Sequence, residues 1–167
     1  MKKYIIIGLV IVVLLIAFFA LISLQDEKEI PLVEGLRFGM PPQKTVKMLG
    51  DPIEMISNAG DSEKTVYCFQ TSVLGQDARI TCYFQNDKQL AEVHFRWETG
   101  ESSLYDQVYE CVHSHYSDKR DFFLKSYEET GSETMRVSIG TDNGVTGLFY
   151  DIVKDDSSIL VTCIDNS

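Results

Sequence analysis

The stretch from Lys64 to Trp97, KTVYCFQTSVLGQDARITCYFQNDKQLAEVHFRW, decides the fold. Apolar and polar residues alternate over 64–72, 78–85 and 90–97, the two-residue period of strands that bury one face. Asn86-Asp87-Lys88-Gln89 supplies a turn between the last two. Placing Cys68 opposite Cys82 in an antiparallel hairpin sets Val66 against Phe84 and Tyr67 against Tyr83. Through the next turn, Phe84 then meets Ala91, Cys82 meets Val93, Ile80 meets Phe95 and Ala78 meets Trp97. This register gathers nearly all the apolar side chains on one face. The other face carries Tyr67, Phe69, Arg79, Tyr83, Glu92, His94 and Arg96. Aromatic residues and arginine are enriched at protein interfaces, and Arg79 beside Arg96 is a repulsive pair that an acidic partner would relieve. Tyr67, Phe69, Arg79, Tyr83, His94 and Arg96 are therefore the candidate binding face. The plainer alternative is a face packed by the rest of the chain or left to solvent.

Outward from this stretch the chain repeats one order of elements. Before it lies a short helix: Pro41 and Pro42 suit a first turn, Gly50 suits the left-handed cap, and Pro52 forbids continuation. A strand over 53–57 follows. After it, Ser103 and Asp106 have the spacing of a capping box, and Leu104, Val108, Cys111, Val112 and His115 make one apolar stripe at the helical period. Strand-like stretches then cover 121–128, 134–139, 145–153 and 159–164, with turns at Asp142-Asn143-Gly144 and Asp155-Asp156-Ser157-Ser158.

The residues Gly39-Met40, Leu49-Gly50 and Pro52 resemble the G-M…L-G-x-P signature of the β-lactamase-inhibitor-protein-like superfamily, which includes the small outer-membrane assembly lipoproteins. Pro41 stands where that signature has a Thr or Ser helix cap, and the lipid-bearing cysteine is absent. The resemblance implies helices on one face of an antiparallel sheet, with the other face free for a protein partner, and it implies no enzyme.

The run from Tyr4 to Leu24 is apolar and free of charge, and 21 helical residues span about 30 Å, the thickness of a bilayer core. Lys2 and Lys3 precede it and Asp26-Glu27-Lys28-Glu29 follows, which places the N-terminus in the cytoplasm and the body outside. A signal peptide is the alternative, but its apolar region is commonly ~7–15 residues. The whole chain has 167 residues and a formal net charge of −10. Residues 26–167 hold all 25 acids against 13 Lys and Arg, a net of −12. Such a body is a poor partner for phosphate backbones, so nucleic-acid binding is excluded.

Outside the membrane cysteines are oxidised. Cys68 with Cys82, and Cys111 with Cys163, form the favoured pairing of three, with four buried free thiols as the alternative. Local chemistry is sparse. His113 and His115, two apart on a helix, point to different sides and do not jointly bind one metal. No G-x-S-x-G elbow or phosphate-cradling glycine loop occurs. No cofactor is expected.

The expected architecture is α+β: an N-terminal transmembrane helix (1–25), a polar tether (26–34), then two tandem helix-plus-antiparallel-meander units (35–100 and 101–167) with helices on one sheet face. The expected function is a single-pass, membrane-anchored, extracytoplasmic protein-binding or envelope accessory module. Its expected partners are an unknown envelope or extracellular protein and, through Tyr4 to Leu24, the lipid bilayer. The alternative is an extracytoplasmic enzyme or small-ligand receptor.

Overall fold

Two helices and eight strands form the body of the computed structural model, which describes residues 12–13, 28–57, 64–86, 88–118, 122–129, 132–140 and 147–166. Helix α1 (Pro42–Leu49) starts after Pro41 and ends at Gly50, whose φ of 91° is open to glycine at little cost. Strands β1 (Glu54–Ile56), β2 (Lys64–Val73), β3 (Gln76–Gln85) and β4 (Gln89–Trp97) follow. Helix α2 (Ser102–Tyr116) then leads to β5 (Phe122–Glu129), β6 (Ser132–Gly140), β7 (Gly147–Lys154) and β8 (Ile159–Asp165). Glu101 is the N-cap of α2 and no side chain caps it, so the Ser103/Asp106 capping box does not form.

The α+β class is corrected. The described body is predominantly one eight-stranded antiparallel sheet in the order β1-β2-β3-β4-β8-β7-β6-β5. Its two helices have only 8 and 15 residues. The last strands of the two meanders, β4 and β8, pair along Glu92↔Ile164 to Trp97↔Ile159. Joining there covers two sheet edges that separate units would leave open.

The transmembrane helix and the single-pass localisation with an extracytoplasmic body are corrected as well. Among the described residues no helix is long and apolar enough to cross a membrane. Of the run from Tyr4 to Leu24 only Val12 and Val13 are described, both helical and exposed; the rest lies outside the described residues. The turn expected at Asp142-Asn143-Gly144 also lies outside them.

One face of the sheet holds the core. Phe69, Ile80, Cys82, Phe84, Val93, Phe95, Trp97, Val137, Tyr150, Ile152, Ile159, Val161 and Cys163 are all fully buried. Leu104, Val108 and Val112 of α2 close over this face, as do Ile30, Leu32, Leu36 and Phe38 from the segment before α1. Residues 28–34, read in sequence as tether, thus contribute two core side chains. They are held by backbone bonds from Ile30 to Leu36 (2.8 Å) and from Phe38 to Lys28 (2.9 Å). The Tyr116 hydroxyl donates to the Glu29 carbonyl and lies 2.6 Å from the Tyr150 hydroxyl, which joins α2, β7 and that segment by polar contacts inside an apolar core.

The hairpin register differs from the expected one by a single residue. Val73 pairs with Gln76, leaving Leu74-Gly75 as a two-residue loop with φ of 54° and 77°. Positive φ at both loop residues is the type I′ geometry, whose twist matches that of the strands. The loop forces Cys68 opposite Thr81 and Tyr67 opposite Cys82. A one-residue slip sends every side chain of β2 to the other face. A second irregularity follows at the β3–β4 turn, where Phe84 meets Leu90 but Tyr83 meets Glu92. The extra residue, Ala91, is a bulge that lets Leu90 and Val93 both face the core.

The disulfides are corrected by the same geometry. All four cysteines are free. Cys68 and Cys82 lie on opposite faces of the sheet. The Cys111 thiol donates to the Pro31 carbonyl at 3.2 Å, while Cys163 sits in the ladder between Val93 and Tyr150. Burial pushes the thiols of Cys82, Cys111 and Cys163 up, which keeps them protonated at neutral pH. Four thiols should therefore react with a thiol reagent in denaturant without reductant, and Cys111 should react first in the native protein. Fewer than four would restore a disulfide, and a Cys68–Cys82 link would overturn the register.

The β7–β8 turn is built on Asp155. Its carboxylate accepts from the Ser157 and Ser158 amides at 2.8 and 2.7 Å and from both hydroxyls at 2.9 and 3.1 Å. These bonds, the Ser157 amide first, draw its pKa down to about 2. Because the folded value lies below the unfolded one of about 3.9, the turn's stabilisation is present above that pH and is lost as pH falls towards 2. Carboxyl NMR titration should find the Asp155 midpoint near that low value, and Ser157→Ala should raise it. An unshifted midpoint would rule out this turn.

Candidate functional site

The surface that remains is the sheet's second face, over which no described helix packs. Three rows of side chains cross it through the ladders. The first runs Tyr83, Glu92, Ile164, Phe149; the second Cys68, Thr81, His94, Thr162, Asp151, Arg136; the third Arg79, Arg96, Leu160, Val153. Most of these residues are half-buried; Arg79, Arg96 and Arg136 are exposed and Cys68 is buried.

The expected binding set divides. Arg79, Tyr83, His94 and Arg96 lie together on this face. Tyr67 and Phe69 do not: the register turns both to the core side. There Phe69 is fully buried, and the Tyr67 ring meets those of Phe69 and Phe84 at 6.5 and 5.3 Å. Arg79 and Arg96 are cross-strand partners, as their spacing requires, but each is turned to its own acid. The Arg79 guanidinium lies 2.9 Å from Glu54, and Arg96 Nε lies 2.8 Å from Glu98. The repulsion that an acidic partner would have relieved is relieved within the chain.

At the face's upper end His94 Nε2 donates to Glu92 Oε1 at 2.7 Å, and Lys64 Nζ reaches the other oxygen at 3.3 Å. The interaction with His94 first, and the Lys64 bond and charge after it, outweigh burial and hold the Glu92 carboxyl below its usual range. An ionised carboxylate only accepts, so Glu92 fixes the donor nitrogen of His94. The Tyr83 ring lies tilted against His94, with centroids 4.8 Å apart, and has Lys64 Nζ 5.9 Å from its centroid; partial burial raises its phenol pKa. Arg136 grips Asp151 through two bonds of 2.6 Å, a bidentate pair. These groups are oriented and mutually satisfied.

Among the described side chains, the cations Lys64, Arg79, Arg96, Lys125 and Arg136 share this face with Glu54, Asp77, Glu92, Glu98 and Asp151. Five against five makes it close to neutral, while the rest of residues 26–167 carries 8 cations and 20 acids. Apolar Phe149, Val153, Leu160 and Ile164 lie at its centre. Sequence reasoning left these four and the Arg136–Asp151 pair unassigned. Their signal is present in the alternation of Leu148, Tyr150 and Ile152 inward with Phe149, Asp151 and Val153 outward.

On the helix side, an open cleft of about 490 Å³ is lined by Glu29, Pro31, Glu34, Cys111, Ser114 and His115. Cys111 and His115, four apart on the stripe read from the sequence, share a helix face. His113 faces elsewhere, its ring 5.3 Å from Tyr109 and 5.6 Å from Phe122. No group of three or more His, Cys, Asp or Glu side chains among the described residues is placed to hold a metal ion.

No protein-family model, no curated protein and no solved structure matches this chain.

Proposed function

We propose that the protein is a binding module that presents the second face of its sheet to another protein. The observation that carries this reading is the charge distribution: a near-neutral, apolar-centred face on a body that is otherwise strongly acidic. A partner docking there meets little like-charge repulsion, and the ion pairs already made within the chain leave few charges to be stripped of water. The residues at Gly39-Met40, Leu49-Gly50 and Pro52, which resemble a superfamily with a partner-binding sheet face, agree with this reading. The competing reading, a small-ligand receptor, has the Cys111/His115 cleft behind it.

Photo-crosslinking distinguishes them. A benzophenone side chain at Thr162, in the middle row of the face, should give one saturable crosslinked partner in cells, and Phe149→Asp should abolish it. The same probe at Ser114, on the cleft rim, should give none. Crosslinking from Ser114 and not from Thr162 would overturn the proposal.

A further inference from the structure

We propose that β1 is a docking edge for an extended, apolar polypeptide segment with basic flanks, supplied by another protein and added to the sheet as a ninth strand. This site is the sheet's edge and does not rest on the role proposed for the second face. Of the five exposed large apolar side chains among the described residues from 28 onward, Met48, Ile53, Met55 and Ile56 fall within nine residues, and three of them are more than 40% exposed. The opposite edge, β5, has only Leu124 of that kind among the described residues. A cluster of exposed apolar groups marks an interaction surface far better than single ones do.

The occupant follows from the backbone. β1 ends the strand order and pairs only with β2. No other backbone hydrogen bond among the described residues reaches Glu54, Met55 or Ile56. Its outer side therefore offers donors and acceptors that another strand satisfies. Sheet proteins guard such edges with outward charges. Here the edge's one charged residue, Glu54, is drawn inward across β2 to Arg79 at 2.9 Å. Met55 shares the core-facing side with Tyr67 while Ile56 shares the second face with Val66, so apolar contacts flank an incoming strand both above and below. The unbranched Met side chains adapt to varied apolar neighbours. The net charge of −12 over residues 26–167 favours basic flanks and disfavours a second copy of this acidic chain.

The probe is a fluorescein-labelled peptide Lys-Val-Thr-Val-Thr-Val-Lys, titrated against the full chain at low salt. Saturable binding is expected, with amide exchange slowed at Glu54–Ile56. Met55→Lys with Ile56→Lys should weaken it at least tenfold, while Leu124→Lys leaves it unchanged. Both substituted side chains are exposed, so folding is not at stake, and circular dichroism checks it. Peptides N-methylated on either edge test pairing, since one of the two must lose binding. No saturation at millimolar peptide, or equal binding by both methylated forms, overturns the proposal. So does self-association of the chain that Met55→Lys removes, which would make the occupant a second copy. Crosslinking from Thr162 is unaffected by any of these outcomes.

Discussion

Replacing Trp97 by alanine is expected to cost about 3–5 kcal/mol, the range for truncating a large buried aromatic. Trp97 is the largest of the fully buried side chains. It closes β4 at the seam, opposite Ile159 of β8, and its ring stacks on Phe95 with centroids 6.1 Å apart. Its indole N–H donates to the Val73 carbonyl at 3.4 Å, a buried hydrogen bond that truncation also removes. Urea unfolding followed by far-ultraviolet circular dichroism gives the number, and Trp97→Phe should lose less than half as much. A loss under about 1 kcal/mol for alanine would mean that the seam does not carry the core.

The second large effect is expected at Gly100, between β4 and α2. A Cβ built there meets the Asp155 carbonyl oxygen at 2.2 Å and the Asp156 carbonyl group at 2.8 Å. Both obstacles are backbone, and Asp155 is fixed by its four hydrogen bonds, so neither can turn aside as a flexible side chain would. Gly100→Ala should cost about 3 kcal/mol, the upper end for overpacking. Trp97 is the sole tryptophan, and its emission reports the unfolding of this variant directly. Near wild-type stability would place the link away from the β7–β8 turn.

What could be read from the chain was local. Pro41, Pro42 and Gly50 mark α1 because proline fixes φ and glycine accepts the positive φ of the helix end without outside help. Period-2 alternation locates strands because a half-buried sheet imposes it. Register was lost at Leu74-Gly75: leucine is an unusual residue for positive φ, and only the fold, with Leu74 partly buried against the core, holds it there. That one step moved Tyr67 and Phe69 off the candidate face and Cys68 away from Cys82. The bulge at Ala91 gives no local signal beyond the spacing of Leu90 and Val93. The β4–β8 pairing is non-local, and without it the joined second face, with Phe149 and Leu160 beside His94 and Arg96, cannot be assembled from the sequence.

The seam also sets an order of events in time. β4 finds its outer neighbour only in β8, more than 60 residues later, so on the ribosome the first four strands must wait with β4 bare until the final strand emerges. Contacts between such distant residues slow folding, because a long loop has to close before they give any return. During that interval β4 is an unguarded edge, open to pairing with other nascent chains. Chains shortened before Ile159 should therefore be recovered from cells as aggregates, even though every element of the first meander is complete.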